Sequence, residues 1–146
     1  MVKPLRFLSP LHKANRQVTV WFEEQMKGTG VIPQEAHLLS YLRSYSPCPV
    51  GEIVAVFDLR GSTATSVLDR LEKRGLIHRR MNPEDRRSFL VELTDDGKAM
   101  AERVQVYVNR FEAAVARRVS KENEEGMRAV MAAIAAVTKV KLTRRG

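Results

Sequence analysis

Residues 60–94 read RGSTATSVLDRLEKRGLIHRRMNPEDRRSFLVELT, and this stretch decides the fold. Ser62 has the chemistry of an N-cap, because its hydroxyl accepts from the N–H groups that a helix start leaves unpaired. From there Ala64, Val67, Leu68 and Leu71 fall within roughly 100° of helical arc, the width of a core-facing stripe. Ser62, Thr65, Ser66, Asp69, Arg70 and Lys73 face the other way, with Thr63 on the border. Gly75 supplies the C-terminal stop. Leu76 to Met81 and Phe89 to Leu93 then read as strands on either side of Asn82-Pro83-Glu84-Asp85-Arg86-Arg87-Ser88, a polar loop rich in turn formers. Two strands alone are marginal, so this ribbon must lean on the helices. The pattern predicts a recognition helix followed by a charged β-wing, a layout suited to reading duplex DNA.

Working outward, Asp58-Leu59-Arg60-Gly61 has the length of the tight turn in a helix-turn-helix, and a short helix over Val50 to Phe57 precedes it. A second helix begins near Pro33 and carries Leu38, Tyr41, Leu42 and Tyr45 on one face before Ser46-Pro47-Cys48-Pro49 stops it. Ser9-Pro10 has the form of a cap followed by proline at the first helical position. Leu11, Ala14, Val18, Trp21/Phe22 and Met26 then recur at helical spacing as far as the breaker Gly28-Thr29-Gly30. Downstream, Thr94 caps a helix whose first turn holds Asp95 and Asp96 and whose stripe runs from Met100 and Val104 to Val119. About 25 residues make a rod of roughly 37 Å, too long for a domain this small. Ser120 starts a last helix with Glu122, Glu124 and Glu125 in its first turns and Met127, Val130/Met131, Ile134 and Val137 as its stripe. A compact core cannot cover the apolar sides of both terminal helices, which argues for a homodimer. The expected fold is mainly α with a small β-hairpin wing: a winged helix-turn-helix with N- and C-terminal dimerisation helices. Residues 34–94 form the DNA-binding part, and 5–28 and 95–142 the dimerisation part.

At 146 residues and 44% hydrophobic content, the chain has room for one core. Its 25 Lys+Arg against 17 Asp+Glu give a net charge of +8, and the pI is near 10.1. Such a balance attracts a polyanion at long range: nucleic acid first, although an anionic membrane surface feels the same field. No apolar run approaches the ~18 residues of a bilayer span, and Met1-Val2-Lys3-Pro4-Leu5-Arg6 shows no apolar region after its charges, so a cytoplasmic protein is expected, with no membrane partner. The lone Cys48 excludes an internal disulfide framework and any multi-cysteine zinc site, and His12, His37 and His78 lack metal-ligand spacing. There is no nucleophile–base–orienter set and no phosphate-cradling glycine loop, so neither an enzyme nor a bound cofactor is expected.

Small hydroxyl side chains at an exposed helix start allow close approach to a groove wall, and the backbone N–H groups there suit phosphate. Arg60 and Arg70 extend that reach. In the loop, Asp85 lies two residues before Arg87, a spacing that would let the carboxylate brace the guanidinium in a bidentate fork. A braced arginine at a hairpin tip suits a narrow minor groove, leaving Arg86 for the backbone. A winged-helix module that binds RNA or a protein partner is the alternative these residues leave open.

The pattern resembles the MarR family of bacterial winged helix-turn-helix transcription regulators. The resemblance lies in Val50-Gly51-Glu52-Ile53, Ser62-Thr63-Ala64-Thr65, Leu68-Asp69-Arg70-Leu71-Glu72-Lys73-Arg74-Gly75-Leu76-Ile77, Arg79, Asp85-Arg86-Arg87-Ser88 and Leu93-Thr94-Asp95-Asp96-Gly97. It implies a symmetric homodimer, joined through the first and the last two helices, that reads a pseudo-palindromic operator and represses a nearby gene. It also implies a small aromatic or anionic effector that sets the spacing of the two lobes. Residue chemistry and resemblance together give Arg60, Ser62, Thr63, Thr65, Ser66, Arg70, Lys73, Arg86 and Arg87 as the DNA-binding set, with Asp85 orienting Arg87. Trp21, His37 and Tyr41 are the candidates for holding an effector. Ile32 departs from the family pattern where a capping threonine is usual, Gly61 where a polar side chain is common, and Gly126 interrupts the last helix at a cost of about 1 kcal/mol relative to alanine. Cys48 lies away from the N-terminal region where the family's peroxide sensors carry their thiol.

Overall fold

A computed structural model describes residues 3–140. Met1 and Val2 of the N-terminal stretch, and residues 141 and 142 of the expected dimerisation part, lie outside the described residues. The order is α1 (Leu8–Gln25), α2 (Pro33–Tyr45), β1 (Cys48–Pro49), α3 (Val50–Phe57), α4 (Gly61–Lys73), β2 (Ile77–Met81), β3 (Phe89–Leu93), α5 (Asp95–Ala116) and α6 (Lys121–Thr138).

Local chemistry accounts for most of these boundaries. Pro33 stands at the first position of α2, where its missing N–H costs nothing. Ile32 has no acceptor, but Glu35 reaches back so that the Ile32 N–H donates to its Oε2 at 3.2 Å, half of a capping box. Thr94 caps α5 by accepting from the Gly97 N–H at 3.0 Å. Ser120 caps α6 with Asn123 as its reciprocal partner. Two expected caps are corrected: α1 starts at Leu8, which puts Ser9 inside it, and α4 starts at Gly61, with Arg60 at the cap position and Ser62 in the first turn. A hydroxyl can cap any of several neighbouring positions, so the tertiary setting chooses.

The wing is not a lone ribbon. Cys48 and Pro49 pair antiparallel with Val91 and Leu90, making a three-stranded sheet of order β1-β3-β2. Pro49, unable to donate to a ladder, sits on the edge strand. The return strand of the wing is thereby fastened to the residues that lead into α3. Beneath it lies the core: Leu38, Leu39 and Leu42 of α2, Ile53 of α3, Val67, Leu68 and Leu71 of α4, Ile77 and Val91 of the sheet, and Ala101 and Val104 of α5. The 22 residues of α5 make a rod of about 33 Å. Only its first half is buried. Neither α1 nor α6 buries a single residue, and Leu8, Val20, Met127, Met131 and Val137 all stand exposed.

On β3 the Glu92 carboxylate accepts from Arg80 Nε at 2.9 Å and lies 3.0 Å from His78 Nε2. The Arg80 bond holds this carboxyl below the usual glutamate range, against the opposing effect of partial burial and with further help from His78. A depressed carboxylate contributes stability that is complete above the ordinary glutamate pKa and is lost as pH falls through the lowered value. Denaturant melts across the acid range should therefore show a fall in stability that Glu92→Gln flattens. Parallel pH profiles for the two proteins would remove this pair as the cause.

Candidate nucleic-acid interface

The recognition helix α4 is anchored by Ala64, Val67, Leu68 and Leu71, all buried, which leaves Ser62, Thr63, Thr65 and Ser66 exposed on its outer face. Thr65 Oγ1 donates back to the Gly61 carbonyl at 2.9 Å, so its lone pairs remain outward as acceptors. Arg60, immediately before the helix, and Lys73, in its last turn, are also exposed.

The wing tip is a closed turn. Asn82 N–H donates to the Ser88 carbonyl at 3.0 Å, Ser88 N–H to the Asp85 carbonyl at 3.0 Å, and Glu84 N–H to Asn82 Oδ1 at 3.0 Å. The expected brace is corrected here. Asp85 Oδ1 accepts from the backbone N–H of Arg87 at 3.0 Å, and among the described residues no ion pair joins it to the guanidinium. A carboxylate two residues ahead bonds the nearer backbone donor in an Asx turn and fixes the direction of the chain, not of the side chain. Arg86 and Arg87 both stand exposed. Arg87 and Thr65 line one groove of about 350 Å³ between wing and helix, together with Gly61, Arg79, Ser88 and Phe89. Helix start and wing thus meet at one surface.

Arg70 Nε lies 2.9 Å from Oε1 of Glu35, whose side chain is only 4% exposed. Arg70 is solvent-facing, as a helical projection has it, with its side chain 54% exposed, yet its guanidinium also reaches Glu35 of α2. Arg79, quoted above only as part of a motif, proves to be a strut. From β2 it donates Nε to Glu72 and Nη2 to Asp69, both at 2.5 Å. Partial burial opposes its charge, but the bonds to Asp69 and Glu72 outweigh this and raise its pKa above the ordinary arginine value. Asp69 and Glu72, three residues apart on one helix face ahead of an arginine-bearing strand, were the available signal. Arg74 is likewise engaged, through the carbonyls of Thr29 and Gly30.

Of the three effector candidates, His37 and Tyr41 share an edge-on contact with Phe57, at 4.8 and 5.5 Å between ring centroids, whereas Trp21 belongs to a different cluster. Trp21 packs on Phe22 and Phe111, with ring centroids 4.9 and 5.4 Å away. Tyr41 donates its hydroxyl to Glu52 at 2.6 Å and stacks near Tyr45 and Phe57. Only His37 lines the cavity between α1, α2 and α5, a space of about 440 Å³ walled mainly by Val18, Phe22, Met26, Val104 and Val108. No lysine or arginine lines it. The rings of Trp21 and Tyr41 lie in aromatic clusters and do not line this cavity. Ser40 Oγ, on the cavity wall, is buried and has no hydrogen-bond partner among the described residues.

No described helix is long and apolar enough to cross a membrane. The model of the MarR family matches residues 32–89. Over 81 residues the chain is 36% identical to the HTH-type transcriptional repressor MdtR of Bacillus subtilis, covering 56% of this chain and 52% of that protein, so the match spans about half the relative's length. A probable transcriptional regulator from Pseudomonas aeruginosa, of known crystal structure, is 27% identical with a TM-score of 0.76, covering 88% of this chain and 96% of that one. The S. aureus MepR–DNA complex shares the fold, with a TM-score of 0.84 at 18% identity over 92% of this chain and 99% of MepR.

Proposed function

We propose that this chain, whose residues 32–89 match the model of the MarR family, is a sequence-specific, double-stranded-DNA-binding transcriptional regulator, acting in the cytoplasm as a repressor. The observation that carries this reading is the shared surface of Thr65 and Arg87, which joins the small polar start of α4 to an exposed arginine on the wing. Ser62, Thr63, Thr65 and Ser66 would read base edges in the major groove, Arg87 would enter the adjacent minor groove, and Arg60, Lys73 and Arg86 would meet phosphates. Arg70 is left out of this set because Glu35 holds it. Residues 34–94 serve as the reading part, and the helices on either side as the pairing part.

The bare apolar sides of α1 and α6 support a homodimer, which would set two copies of α4 in successive major grooves of a pseudo-palindrome. Light scattering at micromolar concentration should give twice the 16.6 kDa of one chain. A monomer mass would remove the palindromic arrangement. The cavity beside His37 supports a small effector, and its apolar walls without a cation favour an uncharged aromatic molecule over an anion.

The test of function is a gel-shift titration on the duplex upstream of the protein's own gene, with a scrambled duplex of equal length as competitor at near-physiological salt. Binding that survives the competitor supports the reading. Equal loss to both duplexes, and no winner in a selection from random duplexes, would reduce the interaction to the +8 charge.

A further inference from the structure

Two arginines one turn apart, Arg70 in the last turn of the recognition helix and Arg74 at its end, each reach a neighbouring element. Arg74 donates Nη1 to the Gly30 carbonyl at 2.6 Å and Nη2 to the Thr29 carbonyl at 2.8 Å. Arg70 pairs with buried Glu35, whose other oxygen caps the start of α2. Both therefore grip the corner that joins α1 to α2. That corner is itself built tightly: Thr29 is buried, donates Oγ1 to the Met26 carbonyl at 2.7 Å and accepts from the Val31 N–H at 3.1 Å. Gly30 suits this corner by its backbone, and a side chain there would press on Arg74. Its φ is +73°, and a Cβ there would stand 3.0 Å from Arg74 Nη2. Met26 and Pro33, on either side of the corner, line the 440 Å³ cavity.

We propose that Arg74, supported by Arg70, is a positioning residue for DNA reading. It ties the recognition helix to the α1–α2 corner, and through Arg79 the same frame holds the wing. This inference rests on the DNA-binding reading above. A guanidinium is suited to the task because its planar fork serves two adjacent carbonyls at once, which a lysine ammonium on a single point cannot do with the same geometry. The frame is one contiguous set of bonds between the corner, the helix and the wing.

The experiment is a double-mutant cycle on binding to the duplex found by gel shift, using Arg74→Gln and Gly30→Ala, which strike the same contact from its two sides. Each single change should weaken cognate binding about fivefold to tenfold, and the pair should be within about twofold of the weaker single variant. Arg74→Lys, which keeps the charge, should also weaken binding, by about threefold. Effects that simply multiply, or parent-like binding by Arg74→Lys, would overturn the proposal. Hydrogen exchange on the DNA-free protein gives an arm that does not depend on the DNA reading and tolerates a loss of stability. In Arg74→Lys the amides of the last turns of α4 should exchange faster than in the parent while those of α2 and α5 keep their protection, and unchanged exchange in α4 would refute the tie. If the parent itself selects no duplex, the function reading fails and the exchange arm still decides the role of Arg74.

Discussion

Gly97→Ala is expected to lower stability by about 3 kcal/mol and the melting temperature by roughly 10 °C, the largest effect of a methyl group added at any described glycine. Gly97 is buried in the first turn of α5, and a Cβ built on it would lie 1.8 Å from the carbonyl oxygen of Leu76 and 2.8 Å from its carbonyl carbon. No rotamer relieves a collision between two backbones. The Leu76 carbonyl also accepts from the Thr94 N–H at 3.1 Å, and the Thr94 hydroxyl donates to the Gly75 carbonyl while accepting from Gly97. The end of the recognition helix, the root of the wing and the start of α5 therefore meet at one point, and the methyl group has to force them apart. A thermal melt followed by circular dichroism decides it. A midpoint within about 2 °C of the parent would mean that α5 slides at little cost and that the junction is looser than its geometry.

Arg87→Ala is expected to weaken cognate DNA binding by 1–3 kcal/mol, on the order of 5- to 150-fold, with little effect on folding. The guanidinium is exposed and has no carboxylate partner among the described residues, so its removal leaves no buried group unpaired. The position of Asp85 sharpens the test. Because its Oδ1 accepts from the Arg87 backbone, Asp85→Asn keeps the acceptor and the turn, and binding should stay within about twofold of the parent. Had Asp85 braced the guanidinium by charge, the asparagine would lose much of that hold. Equal titrations for Arg87→Ala and the parent would take the wing tip out of the interface.

The sequence made the helices legible wherever the signal was local. The stripe of Ala64, Val67, Leu68 and Leu71, the caps Thr94 and Ser120, and Pro33 each depend on residues within a turn or two, and the structure agrees with them. β1 was not legible, because two residues are too few to show alternation and one of them is a proline. Arg70 looked free because a projection treats a helix as isolated, while its partner Glu35 lies on another element. The spacing of Asp85 and Arg87 announced a contact without saying whether side chain or backbone would supply the donor. Glycines show the same division. Gly126 stands out in sequence, inside a helix, yet a Cβ there meets nothing within 4 Å among the described residues, whereas the inconspicuous Gly97 is pressed against Leu76. Trp21, His37 and Tyr41 share a plausible chemistry for an effector, but convergence is a property of the packed chain, and only His37 reaches the cavity.

The outward hydroxyls of Ser62, Thr63 and Ser66 make no hydrogen bond to any other described residue, while everything that holds α4 in place is supplied by its buried stripe and by arginines that reach neighbouring elements. The lettering of this helix is therefore separable from its mounting. Duplicated copies of such a gene are free to drift toward new operators one side chain at a time, without crossing a valley of unfolded intermediates. Exchanging those few positions between relatives should move a binding preference while leaving the melting curve where it was.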